Sequence, residues 1–318
     1  MVRSLKGKVL FITGCSRGIG EAIAIRAAKD GAKIAVVAKT TEAHPKLPGT
    51  IYTVAEKIRE AGGEALPIKC DLRDEKQVRA AIEKTVEVFG GIDIVINNGQ
   101  LPHLVLLCHD HDIFISSLFP LPSSAISLTS TEETSVSRYD LMHSINARGT
   151  WLVSKLAIPY LKKAENPHIL TMSSPLSMDK KWFGGSTAYT MAKYGMSMTV
   201  LGLSAELKKY GIAVNSLWPY TAIGTSALTI LDSGTLTENS RNVDIMSDAA
   251  YIVLTKNSKV CSGNFFIDEI LLRDHGVTDF EKYNTTPGTK LEELSPDFFI
   301  DDESEARIKK LRMLQSRL

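Results

Sequence analysis

A short apolar run that closes on a glycine loop and reopens as a helix constrains this chain more than any other feature. Residues 8–13 (KVLFIT) have the composition of a buried strand. Thr13-Gly14-Cys15-Ser16-Arg17-Gly18-Ile19-Gly20 follows, and the Ala-rich stretch 21–30 reads as a helix. Glycines there permit a tight turn and a close approach of backbone to a pyrophosphate, which the free N–H groups of the helix N-terminus then face. Alone, a glycine triplet could be a plain connector. At the first strand-to-helix junction it predicts a dinucleotide site.

The alternation continues. Strands are predicted at 33–38, 65–70, 92–96, 168–172, 212–217 and 264–267, and helices at 51–61, from the Asp74 cap to Phe89, at 139–161, 187–210 and 248–254. Such a βαβα order predicts an α/β fold of the Rossmann type, a doubly wound parallel sheet in a single domain, with ligands at the carboxyl ends of the strands. The domain is expected to span 1–270, with 271–318 a polar C-terminal extension whose stretch 303–318 is an amphipathic helical tail.

The remaining composition narrows the function classes. A net charge of +1 supplies no basic field for nucleic acid. Cys15, Cys70, Cys108 and Cys261 lack zinc-ligand spacing and read as reduced thiols. No apolar run reaches the roughly 20 residues that cross a bilayer, and the charged start MVRSLKGK is not a secretory signal.

Two further motifs carry chemistry. An NAD-selective sheet ends its second strand on an acid that takes the ribose 2′-OH. Here Lys39 stands at that place and Arg17 lies in the adjacent loop. Two cations suit a 2′-phosphate, so NADP(H) is favoured over NAD(H), the alternative being two solvated surface cations. Asp71, just past the third strand, is a candidate acceptor for the adenine amino group or an ordinary helix-capping residue. Tyr189 and Lys193, spaced i and i+4 on a helix, share one face. A phenol titrates near 10, too high for proton transfer near neutrality, and an adjacent ammonium lowers it.

With these motifs the chain resembles the short-chain dehydrogenase/reductase family over residues 7 to about 270. The residues are TGCSRGIG at 13–20, Asp71, Asn97-Asn98, Asn146, Ser174, YTMAK at 189–193 and NSLWP at 215–219. The resemblance implies that Gly14, Cys15, Ser16, Arg17, Gly18, Ile19, Gly20, Lys39, Asp71, Asn98, Tyr189 and Lys193 bind the cofactor. It implies that Tyr189 exchanges a proton with the substrate oxygen, that Lys193 lowers the phenol's pKa and holds the nicotinamide ribose, that Ser174 holds the carbonyl, and that Asn146 holds a water linking Lys193 to solvent. The implied activity is NADP(H)-dependent interconversion of an alcohol and a carbonyl on a hydrophobic, lipid- or sterol-like substrate. The rival is a catalytically impaired nucleotide-binding member with a regulatory or interaction role. AKT at 38–40, residues 44–53, 188–198 and 217–225, and SPDFFIDD at 295–302 resemble a subfamily in which a sterol-carrier-like lipid domain follows the reductase; the chain stops soon after that last motif, which implies a reductase unit without the lipid domain.

The chain departs from the family pattern in four places. Ser173, Ser174 and Ser177 compete for the serine role. Tyr220 replaces the usual glycine after Pro219, adding bulk near the nicotinamide. Asn97-Asn98-Gly99-Gln100 replaces Asn-Asn-Ala-Gly. Residues 100–123, apolar and unpatterned, stand as an insertion, either a substrate lid or the product of a retained intron or a faulty gene model. His103, His109 and His111 with Asp110 and Asp112 lie on no element that would fix ligand geometry, so no metal site is expected. Ser316-Arg317-Leu318 resembles a peroxisomal address, which implies an import receptor as partner and a peroxisomal location, with mitochondria or cytosol as alternatives. Family members form dimers or tetramers through the helices here at 139–161 and 187–210, so a homo-oligomer is expected.

Overall fold

The computed structural model describes residues 4–44, 47–98, 108–109, 112–113, 128–226, 228 and 235–315. The stretch 100–123, expected to be an insertion, lies outside these except for a two-residue antiparallel pairing of Cys108–His109 with Asp112–Ile113. Gly99 and the terminal Ser316, Arg317 and Leu318 also lie outside the described residues.

Seven strands form one parallel sheet: β1 (Val9–Thr13), β2 (Lys33–Ala38), β3 (Glu64–Lys69), β4 (Ile94–Asn97), β5 (His168–Met172), β6 (Ala213–Trp218) and β7 (Phe265–Ile267), in the order β3-β2-β1-β4-β5-β6-β7. Chain order reverses between β1 and β4, which opens a crevice at their carboxyl ends. Strand residues alternate between two cores, as the period of two requires. Leu10, Ile12, Ile34, Val36, Ile94, Ile96 and Leu170 pack on α1 (Gly18–Ala28) and α7 (Asp244–Leu254). Phe11, Ala35, Val37, Val95, Ile169 and Val214 pack on α3 (Glu75–Phe89), α5 (Gly149–Leu161) and α6 (Thr187–Leu207). Local chemistry sets the helix ends. Thr50 and Thr53 form a reciprocal capping box for α2 (Ile51–Glu60), and Asp74 accepts from the Lys76 and Gln77 amides at the start of α3.

Two expectations need correction. The single helix expected over 139–161 is broken: α4 (Val136–His143) passes into a π-helical turn, Ser144–Arg148, before α5 begins. The wide turn re-aims the apolar faces, so that Met142 of α4 joins a cluster at the sheet's carboxyl end while Leu152, Val153 and Ala157 of α5 face the sheet. Hydropathy periodicity does not distinguish such a turn from an α-helix. The second concerns the stretch expected to be a polar extension. Leu271 and Leu272 of α8 (Asp268–Asp274), then Phe280, Tyr283, Phe299 and Ile300, and Ile308 of α9 (Asp302–Gln315) are buried, so its described part packs into the domain. Residues 295–297 run along the segment that leaves β6: the Ala222 amide donates to the Ser295 carbonyl at 2.9 Å and the Asp297 amide to the Tyr220 carbonyl at 2.9 Å. This ladder makes 295–300 a strap across the carboxyl edge.

Candidate active site

The glycine loop lies where the crevice opens. Gly14 and Gly18 have φ of 63° and 62°, the left-handed region that glycine enters without strain. Gly20 is needed for another reason: a Cβ there would lie 2.6 Å from Asn98 Nδ2 and 2.9 Å from the Gly14 carbonyl. Asn98 ties β4 to the loop, its side chain donating to the Gly14 carbonyl and its amide to Thr13 Oγ1. Ile19 and Ser16 are buried at the turn. Cys15 is fully buried, and burial pushes its thiol far above the ordinary range, so it packs rather than reacts. A loop this open in backbone and closed to side chains fits a pyrophosphate.

The two cations are placed differently from one another. The Arg17 guanidinium donates to the carbonyls of Leu47, Pro48 and Gly49 at 3.3, 3.2 and 3.0 Å, which fastens the 47–50 loop over the glycine turn. Lys39 stands 67% exposed, 3.7 Å from the Asp71 carboxylate. Both Asp71 oxygens also accept from Arg73, at 2.9 Å from Nε and 2.5 Å from Nη2, and this fork pulls the carboxyl down to about 2. Asp71 is therefore engaged by its own loop before any adenine arrives.

Tyr189 and Lys193 lie one turn apart near the start of α6, 3% and 1% exposed. Lys193 Nζ is 5.8 Å from the Tyr189 ring centroid and 5.0 Å from that of Trp218, and it has no hydrogen-bond partner. Burial lowers the lysine to about 7, opposed by the charge of Asp297, and burial with the Asp297 charge holds the Tyr189 phenol well above its ordinary value. The Ser173 and Ser174 hydroxyls are buried and also lack partners. Ser197 of α6 donates to the Ser174 carbonyl at 2.6 Å, which joins that loop to the helix carrying Tyr189. Ser177 differs: its hydroxyl accepts from the Asp179 amide in a partly exposed turn. Asn146 is buried in the π turn, and Gly195 of α6 packs so closely there that an added Cβ would lie 2.6 Å from Ala147 Cβ. Buried polar atoms of this kind fit groups that arrive with a ligand.

The sequence reading missed what covers the phenol. Phe299 stacks over Tyr189, ring centroids 6.3 Å apart, and also contacts Trp218, Tyr194 and Trp182. Asp297, 6% exposed, comes from the same strap. Its signal was in view, since SPDFFIDD marked the subfamily resemblance, but nothing in spacing tied it to residues a hundred positions upstream. Tyr220 packs its ring 5.1 Å from the Arg312 guanidinium of α9 while its amide donates to Asp268 Oδ1. A surface cleft of about 1490 Å³, lined by Phe265, Ile270, Asp274, His275 and Arg307 among others, lies elsewhere; neither Tyr189 nor Lys193 lines it. Among the described residues no His, Cys, Asp and Glu cluster could hold a metal, and no helix is long and apolar enough to cross a membrane.

A parallel sheet with a glycine turn after its first strand and a Tyr–Lys pair at its carboxyl edge defines a class, and the family profile described as short chain dehydrogenase matches residues 8–229. The chain belongs to that family of NAD(P)-dependent oxidoreductases. It is 52% identical to Hydroxysteroid dehydrogenase-like protein 2 of Xenopus laevis over 301 residues, 95% of this chain and 65% of that protein. The human protein of the same name is 49% identical over 307 residues, 96% of this chain and 66% of that protein. The chain thus spans about two thirds of the length of these curated relatives. A short chain dehydrogenase of Mycobacterium thermoresistibile has the same architecture, with a TM-score of 0.81, 46% identity, and coverage of 94% of this chain and 96% of that one.

Proposed function

We propose that this oxidoreductase uses NADP(H) to interconvert an alcohol and a carbonyl on a hydrophobic, lipid- or sterol-like substrate. One observation carries the reading: a buried phenol and a buried, unpartnered ammonium share one helix face at the sheet's carboxyl edge, beside two unpartnered serine hydroxyls. When bound, a nicotinamide ring supplies or accepts the hydride. The glycine turn 14–20 and Asn98 hold its pyrophosphate end, and exposed Lys39 favours a 2′-phosphate there. Lys193 is left to bind ribose hydroxyls, and its charge stabilises the phenolate that Tyr189 becomes after giving up its proton. Ser174 holds the substrate oxygen, with Ser173 equally buried beside it. The burial that holds the phenol neutral keeps it in the donor form needed for carbonyl reduction. Trp218, Tyr220 and Phe299 give the site an aromatic wall suited to an apolar substrate. The test is a panel of ketones and aldehydes of increasing chain length with NADPH or NADH. Turnover that favours NADPH and rises with apolar length supports the proposal, and no turnover with any of them rejects it.

One observation favours a second reading, a nucleotide-binding member without turnover: the strap leaves Tyr189 only 3% exposed beneath Phe299. That reading predicts NADPH binding by fluorescence and no product with any carbonyl.

Two properties of the whole protein belong to the same proposal. Trp151 of α5 and Met191, Met198 and Leu201 of α6 are exposed, which supports a homo-oligomer formed through these helices. Light scattering should then give a mass above 34.8 kDa. Ser316-Arg317-Leu318 supports recognition by an import receptor and a peroxisomal location. A fluorescent protein ending in these three residues should enter peroxisomes, and one ending in Ser-Arg-Ala should not.

A further inference from the structure

We propose that Asp297, far outside the stretch matched by the family profile, is a positioning residue of the active site and acts as the counter-ion of Lys193. The strap places it there. Its amide donates to the Tyr220 carbonyl at 2.9 Å, and the next residue but one, Phe299, stacks on Tyr189. Trp218 links the two sides: its indole N–H donates to the Phe298 carbonyl at 2.7 Å and also bonds the Asp297 carboxylate, while Lys193 Nζ lies 5.0 Å from its ring. Asp297 is 6% exposed and its Oδ2 has no hydrogen-bond partner, as Lys193 Nζ has none. A buried carboxylate with one unpartnered oxygen and a buried, unpartnered ammonium therefore flank one indole.

The electrostatics agree. Asp297 is the charged side chain, among the described residues, that supports the lysine's charge, and Tyr189 is the titratable neighbour on the same helix. Behind Asp297 stands Asp268, at the start of α8, whose carboxyl burial pushes up to about 7. Burial raises Asp297 and lowers Lys193, and each shift is opposed by the other's charge. Two groups that oppose each other's shifts in this way titrate together. Removing the carboxylate leaves an isolated buried amine, which sheds its proton at lower pH.

This inference rests on the placement of Lys193 in the cofactor site. The experiment is the pH dependence of NADPH binding, followed by fluorescence, for the full chain and for Asp297→Asn, with carbonyl reduction followed in parallel. Loss of the ammonium weakens binding on the alkaline side. In Asp297→Asn the midpoint of that loss is expected to fall by about one pH unit or more, and Asp297→Glu is expected to restore it. If the asparagine variant does not fold, Asp297→Ser must show the same fall. A folded variant with an unmoved midpoint overturns the proposal, whether or not overall affinity drops, because a packing role weakens binding at every pH alike. Absence of turnover in the unsubstituted protein counts against the reductase reading and leaves the binding midpoint to decide on Asp297.

Discussion

Phe299 lies over Tyr189 with ring centroids 6.3 Å apart and planes 19° from parallel, so the segment that closes the fold also roofs the phenol. Phe299 adopts φ 72°, a conformation that costs a bulky residue of order 1 kcal/mol and persists only where packing dictates it. That packing is the aromatic cluster with Trp182, Tyr194 and Trp218. Phe299→Ala is expected to lower stability by about 3–5 kcal/mol in urea unfolding, and in the variant that remains folded to lower KM for bulky carbonyls by unroofing the site. An exposed control, Leu291→Ala, should change stability by no more than about 0.5 kcal/mol.

The cofactor cradle is tested at Gly20. Its Cβ would press on Asn98 Nδ2 and on the Gly14 carbonyl, which is backbone and cannot yield as a flexible side chain would. Gly20→Ala should weaken NADPH binding by about tenfold or more, equivalent to about 1.4 kcal/mol, in a fluorescence titration. Unchanged affinity would show that the turn does not hold the pyrophosphate.

Cofactor choice should follow Lys39. It is exposed at the end of β2, whereas Arg17 is already bound to three carbonyls. Lys39→Asp is therefore expected to cut kcat/KM for NADPH by about tenfold or more and to improve NADH, reversing a preference worth about 1–3 kcal/mol in charge contacts. A preference that survives in Lys39→Asp but disappears in Arg17→Ala would transfer the role to Arg17.

Most of the sheet and its glycine turn were legible because they follow local rules. Buried strands are short apolar runs, Asp74 caps a helix by its own side chain, and Tyr189 and Lys193 meet through helical spacing alone. The π turn at Asn146 was not legible, since one extra residue in a turn leaves hydropathy unchanged. Nor was the strap: Asp297 and Phe299 reach the site by pairing with residues 220–222, a contact between segments that no periodicity encodes. Glu269 shows the same blindness, being a charged residue in an apparently polar stretch that turns out to be 0% exposed.

Glu269 also gives a pH prediction. It accepts from Arg273 Nε at 2.8 Å and from Arg312 Nε and Nη2 at 2.8 and 3.0 Å, with Arg241 Nη2 at 2.9 Å. Burial opposes its charge, but these guanidiniums outweigh burial and hold the carboxyl below its ordinary value. A carboxyl lowered in the folded state stabilises above the unfolded value near 4 and loses that contribution as pH falls through the folded one. Stability should therefore decline below about pH 4, and Glu269→Ala should cost about 3–5 kcal/mol at neutral pH by stranding buried arginines. Urea midpoints across pH check both; a variant as stable as the parent at pH 7 contradicts the account.

The central claim is that Tyr189 delivers the proton to a substrate oxygen while the chain holds a nicotinamide nucleotide. Its most direct test is Tyr189→Phe, with carbonyl reduction and NADPH binding measured on the same preparation. The account predicts binding within about twofold of the parent, since no part of the pyrophosphate cradle changes, and kcat reduced by about a hundredfold or more. Turnover that survives the loss of the phenol oxygen would contradict it.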